Sequence, residues 1–191
     1  MRADQDAFVE SKRAGKEFEA IKQERYNRFQ ACFNHIAGQI DTIYKELTKS
    51  PAHPHGGTAY LSLENTEDPF LHGIKYNAMP PMKRFRDMEQ LSGGEKTVAA
   101  LALLFAIHSF QPSPFFVLDE IDAALDNANV NRVVNYLQKR TKDAFQCIVI
   151  SLKDAFYERA DSLIGICRNK AQECSRSLTL DLTRFEEVPL K

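Results

Sequence analysis

The stretch from Phe8 to about Leu47 holds neither proline nor a turn cluster, and no other feature restricts the fold as much. Apolar or aromatic side chains recur at Phe18, Ile21, Phe29, Cys32, Phe33, Ile36, Ile40, Ile43 and Leu47, in steps that place them on one helical stripe. Charged and polar residues of both signs fill the gaps ("KRAGKEFEAIKQERYNR"). The spacing predicts one helix of roughly 40 residues, about 60 Å long at 1.5 Å per residue. Such a helix outruns any compact domain the rest of the chain can build. It is either a surface helix with a solvated charged face or a coiled-coil strand entering a globular head. The stripe favours the second, with an imperfect register around Gly15 and Arg25.

"TKSPAHPHGG" (Thr48 to Gly57) stops the helix, since proline cannot continue it and glycine has no reason to. His53 and His55 lie in this loop without a third metal ligand nearby, so it predicts no metal site. Beyond it, "TAYLSLEN" and "GIKYNAM" read as strands, followed by a helix at 93–110, a strand at 114–119, a helix at 129–142, a strand at 145–151 and a helix at 153–160. "SLIGIC" and the alternating "SLTLDLTRF" then read as a hairpin across "RNKAQECSR". Strands separated by helices predict an α/β fold with a mostly parallel sheet and helical crossovers. The expected division is residues 1–50 as the arm helix and 51–191 as the globular part.

A formal charge of −1 excludes a nucleic-acid binder that works through bulk positive charge, and leaves room only for local patches such as "KRFR" (Lys83 to Arg86). The four cysteines form no C-x-x-C pair and read as reduced thiols. The longest apolar run, Val98 to Ile107, is too short to span a bilayer, so no membrane association is expected.

The chemistry concentrates between residues 89 and 127. Phe115, Phe116, Val117 and Leu118 form a continuous apolar run, expected for a strand buried on both faces, and they deliver Asp119 and Glu120 to its carboxyl end. Ligands of open α/β sheets bind at that edge. Two adjacent carboxylates repel each other unless a cation or water chemistry uses them, and the strand alternation aims them differently. Asp119 is therefore expected to serve Mg²⁺ through a bound water, and Glu120 to polarise an attacking water. Upstream, "LSGGEK" carries a helix capping box, Ser92 with Glu95 three positions on. Its two glycines exceed what a cap needs and leave backbone N–H groups open to a phosphate. A loop to cradle the other phosphates is missing. The only Gly-Lys pair, Gly15-Lys16, precedes Glu17 inside the predicted helix and does not fit G-x-x-x-x-G-K-[ST]. The chain is not expected to bind ATP well, or to hydrolyse it, alone.

"LSGGEKTVAALALLFAIHSF", "PSPFFVLDEIDAALDN" and "IVISLKDAFYERADSLIG" closely resemble the ATP-binding-cassette heads of the structural maintenance of chromosomes (SMC) family, and within it the cohesin branch. The resemblance spans about Thr58 to Phe185. It implies the C-terminal lobe of a split head whose other lobe carries the P-loop, with the first 50 residues as the base of the returning coiled-coil arm. It further implies ATP and Mg²⁺ as cofactors, and two heads enclosing two nucleotides. Ser92, Gly93 and Gly94, flanked by Leu91 and Glu95, become the signature loop that touches the γ-phosphate held by the opposite head. Asp119 becomes the Mg²⁺-associated aspartate, Glu120 the catalytic glutamate, and Asp126 the aspartate that crosses between heads. Many cassettes place a histidine where this chain has Leu152, which cannot donate a hydrogen bond and leaves that contact to Ser151 or another group. The implied partners are the P-loop lobe of the same subunit, the second cohesin SMC head, DNA, and the kleisin winged-helix domain docked on the terminal strands with Leu178, Leu180 and Leu182. The implied location is the nucleus, on chromosomes. The competing expectation is a scaffold for kleisin and DNA with a weak ATP site.

Overall fold

The computed structural model describes residues 2–82, 88–142 and 145–184, with side chains from residue 5 onward. "KRFR" lies outside the described residues. The chain forms two compact units, residues 1–112 and 113–191.

The first unit begins with α1 (Arg2–Thr48), 47 residues or about 70 Å of helix. The sequence stripe runs its whole length, yet burial starts only at its last third. Ile36, Ile40, Ile43, Tyr44 and Leu47 are buried, whereas Phe8, Val9, Phe18 and Ile21 are exposed. Periodicity names the face of a helix that would be buried; a partner must be present to bury it. Each fully buried aliphatic of this group contributes about 1.5–3 kcal/mol. α1 ends where the Thr48 hydroxyl donates to Tyr44 O (2.6 Å) and accepts from Gly57 N (2.8 Å). Gly56 sits at φ +69°, and a Cβ on Gly57 would lie 2.4 Å from Met79 O and 2.7 Å from Tyr44 Cε1. Those two glycines let the turn lie flat on the helix end.

β1 (Thr58–Leu63) pairs antiparallel with β2 (Ile74–Met79), placing the buried Ala59 opposite the buried Ala78. α2 (Gly93–Phe110) packs against α1, with Val98, Ala99, Leu101, Ala102, Phe105 and Ala106 buried. His35 of α1 hydrogen-bonds the Ser109 hydroxyl of α2 at 3.0 Å, and the Tyr76 hydroxyl of β2 donates to Ala99 O at 2.9 Å.

In the second unit β3 (Phe115–Asp119) crosses through α3 (Asn127–Thr141) to β4 (Gln146–Ile150), and the two strands pair in parallel, Asp119 opposite Ile150. A short helix α4 (Asp154–Tyr157) leads to the antiparallel hairpin of β5 (Ser162–Asn169) and β6 (Cys174–Asp181). α4 covers only half of the expected 153–160, since no side chain caps its start and the backbone turns toward β5 after Glu158. The α/β class stands; parallel pairing is confined, among the described residues, to β3 and β4, the pair joined by a helix long enough to cross over. The expectation that β3 is buried on both faces does not hold. Leu118 is buried and Phe116 half-buried, but Phe115 and Val117 are about half exposed, at 54% and 53%, as are their β4 neighbours Ile148 and Ile150. A continuous apolar run shows that both faces suit burial, not that this chain covers both.

Candidate functional site

The predicted signature loop starts α2. Ser92, at φ −65° and ψ 161°, is the N-cap: its hydroxyl accepts from Glu95 N at 3.4 Å, and Ser92 N donates to Glu95 Oε2 at 2.9 Å. Leu91 is buried and anchors the loop, while Ser92 and Gly93 are exposed. Lys96 Nζ reaches back to Glu89 O at 3.0 Å. The capping box thus leaves the helix N-terminus at the surface, where backbone N–H groups and the positive end of the helix dipole suit an anion. The Tyr44 phenol of α1 is held well above the usual tyrosine range, first by burial and second by the Glu95 carboxylate; burial and then Tyr44 do the same to Tyr76. Sequence reasoning gave Tyr44 no role.

In the second unit, Asp119 ends β3 with its side chain exposed, on the same sheet face as Val117. Glu120 follows in the left-handed region at φ +47°, a conformation that is sparsely populated outside glycine and asparagine. The turn is fixed by Glu120 N donating to Ile150 O (2.9 Å), Ala123 N to Glu120 O (3.2 Å) and Leu125 N to Asp122 O (3.0 Å). The strand therefore ends at Asp119, and Glu120 belongs to the turn. Asp126 is the N-cap of α3, accepting from Asn129 N at 2.7 Å. A carboxylate has acceptor sites beyond that one bond, so the cap does not exhaust it.

Sequence reasoning also passed over Asp122. It is 4% exposed, and its Oδ2 accepts from the Ser151 hydroxyl at 2.9 Å; Ser151 Oγ in turn accepts from Lys153 N at 3.0 Å. A hydroxyl has one proton, so Ser151 can donate to a phosphate only by releasing Asp122. Leu152 is 89% exposed. It lines a groove of about 340 Å³ together with Lys153, Asn127 and Asn131. Cys147 on β4 has its thiol pushed up to about 11 by burial, which keeps it protonated and unreactive near neutrality.

Among the described residues no three metal-ligating side chains cluster. On the β5–β6 hairpin, Ile164 and Ile166 are exposed on one face and Leu178 and Leu180 on the other, while Leu182 is half-buried just beyond β6.

A family description, "RecF/RecN/SMC N terminal domain", matches residues 19–175. The chain belongs to that family. It is 59% identical over 177 residues to structural maintenance of chromosomes protein 1 of Schizosaccharomyces pombe, covering 93% of this chain and 14% of that protein. It is also 59% identical over 179 residues to the Arabidopsis thaliana protein of the same name, covering 87% and 15%. The chain therefore spans about a seventh of the curated relatives it matches. The chain also resembles solved SMC heads. The Smc head domain with an extended coiled coil bound to the C-terminal domain of ScpA, from Pyrococcus furiosus, is 37% identical with a TM-score of 0.75, covering 88% of this chain and 40% of that one. The SmcHead bound to the C-winged helix domain of ScpA is 40% identical with a TM-score of 0.74, covering 85% and 47%. The α/β fold of this SMC chain is thus that of an SMC head. Among its described residues no helix is long and apolar enough to cross a membrane.

Proposed function

We propose that this chain is the C-terminal lobe of a cohesin SMC ATPase head, with residues 1–50 the base of the coiled-coil arm and 51–191 the lobe. The observation that carries the reading is the turn after β3, where strand β4 holds Glu120 in a left-handed conformation beside the exposed Asp119. In this reading the P-loop lobe of the same subunit supplies the phosphate cradle. Asp119 would hold Mg²⁺ through a water, and the ion would neutralise the charge of the phosphates. Glu120 orients the attacking water and draws off its proton. Leu91, Ser92, Gly93, Gly94 and Glu95 form the signature loop that closes on nucleotide held by the second cohesin head, and Asp126 reaches across between heads. The hairpin with Leu178, Leu180 and Leu182 docks the kleisin winged-helix domain, and ATP-driven engagement acts on DNA in sister-chromatid cohesion, in the nucleus. The names of the relatives and the apolar faces of β3–β4 and β5–β6 support these assignments.

Leu152 favours one competing reading, a kleisin- and DNA-binding scaffold with a weak ATP site, because an exposed leucine offers no donor to a phosphate. Steady-state ATP hydrolysis by the lobe reassembled with its P-loop lobe and the partner head separates the two. The proposal expects Glu120→Gln to cut turnover about 100-fold or more at this site and to trap engaged, ATP-bound heads. Equal rates for wild type and variant with ATP binding retained would favour the scaffold.

A further inference from the structure

Among the described residues Asp122 is one of three buried polar or charged ones, beside Thr48 and Asn77, and none of the roles assigned above uses it. Its carboxylate does not cap a helix. Its Oδ2 accepts a hydrogen bond from the Ser151 hydroxyl, 29 positions away, across the parallel β3–β4 pair. The same strand end makes a second tie, Ile150 O to Glu120 N, one residue earlier. The turn that carries Glu120 is therefore held at two points, through a backbone bond at Glu120 itself and through a side-chain bond at Asp122. A left-handed non-glycine residue keeps that conformation only where its surroundings over-determine it.

We propose that Asp122 is a positioning residue for the hydrolytic step: by clasping the Ser151 hydroxyl it locks the turn after β3 to the end of β4, and so fixes the direction of the Glu120 carboxylate toward the attacking water. This rests on the reading of Glu120 given above. The clasp acts on water orientation and not on nucleotide affinity, so its loss lowers kcat and spares KM. What the bond needs is an acceptor at 122 and a hydroxyl at 151; the negative charge is secondary.

The test uses the reassembled two-head complex, with the partner head's own catalytic carboxylate replaced so that only this site turns over. Asp122→Ala is expected to lower kcat about tenfold with KM for ATP within about twofold, the scale of one buried hydrogen bond. Asp122→Asn keeps an acceptor and recovers most of that loss, and Ser151→Thr keeps the hydroxyl and does likewise. Ser151→Ala reproduces Asp122→Ala, and the double alanine variant is within about twofold of either single, because both remove the same bond. Should Asp122→Ala misfold, which the thermal midpoint reports, the Ser151→Ala and Ser151→Thr pair carries the test. Loss through KM alone, equal damage from Asp122→Asn and Asp122→Ala, or additive single losses each overturn the proposal. A Glu120→Gln variant run alongside distinguishes the levels: if it loses turnover while Asp122→Ala and Ser151→Ala do not, only the positioning role falls; if it keeps turnover, both fall.

Discussion

Ser92 has two candidate jobs, and replacing it with alanine separates them. As a cap, its hydroxyl meets Glu95 N at 3.4 Å, beyond the usual 2.7–3.2 Å range, while the reciprocal bond from Ser92 N to Glu95 Oε2 is 2.9 Å and survives in the variant because its donor is backbone. Ser→Ala at a cap costs about 0.5–2 kcal/mol, and the long contact puts this site at the low end, about 0.5 kcal/mol. For a chain of this size that lowers the melting midpoint by about 1–2 °C. As a signature hydroxyl it would instead lose a hydrogen bond to a charged phosphate, about 1.5–3 kcal/mol, or tenfold and more in engagement affinity. Differential scanning fluorimetry of the reassembled head gives the first quantity. Sedimentation of ATP-bound heads carrying Glu120→Gln, with and without Ser92→Ala, gives the second. A midpoint drop of several degrees with engagement falling only in proportion, or engagement left unchanged, would refute the reasoning and return Ser92 to the role of a cap.

Leu178→Glu or Leu180→Glu is expected to keep the fold, since those side chains are 65% and 46% exposed, while weakening capture of a kleisin winged-helix domain at least tenfold; calorimetry and circular dichroism read the two effects. Stability is expected to fall on the alkaline side. Cys147 is raised to about 11 and Tyr44 above its ordinary value near 10, so the unfolded chain gives up those protons first as pH climbs, and their contribution is full below about pH 9 and lost upward through the folded values. Melting midpoints from pH 7 to 10.5 should decline above pH 9. Tyr44→Phe should flatten the part above pH 10, and an unchanged slope in that variant would remove Tyr44 from the account.

The order of helices and strands was legible because each rests on local signals. The capping box starts α2 at the expected residue, and the proline-glycine loop ends α1 within one residue of expectation. Ser92, Glu95, Asp119 and Glu120 were likewise visible as motifs of a few adjacent positions. Burial was not legible in the same way. Phe18 and Ile40 belong to one stripe with the same spacing, yet only Ile40 meets a partner; Phe115 and Leu118 belong to one apolar run, yet only Leu118 is covered. A pattern states which surfaces favour leaving water, and only the packed chain states which of them have done so.

By itself the sequence determined the elements, the α/β class, the resemblance to SMC heads and the candidates for the site, because helix period, strand alternation, caps and motifs are properties of neighbouring residues. The tertiary structure decided how those residues are held: the left-handed turn at Glu120, the bond from Tyr76 to Ala99, and the bond from Ser151 to Asp122. Each joins positions far apart in the chain, and such contacts depend on how strands pair and helices pack, which no local pattern encodes.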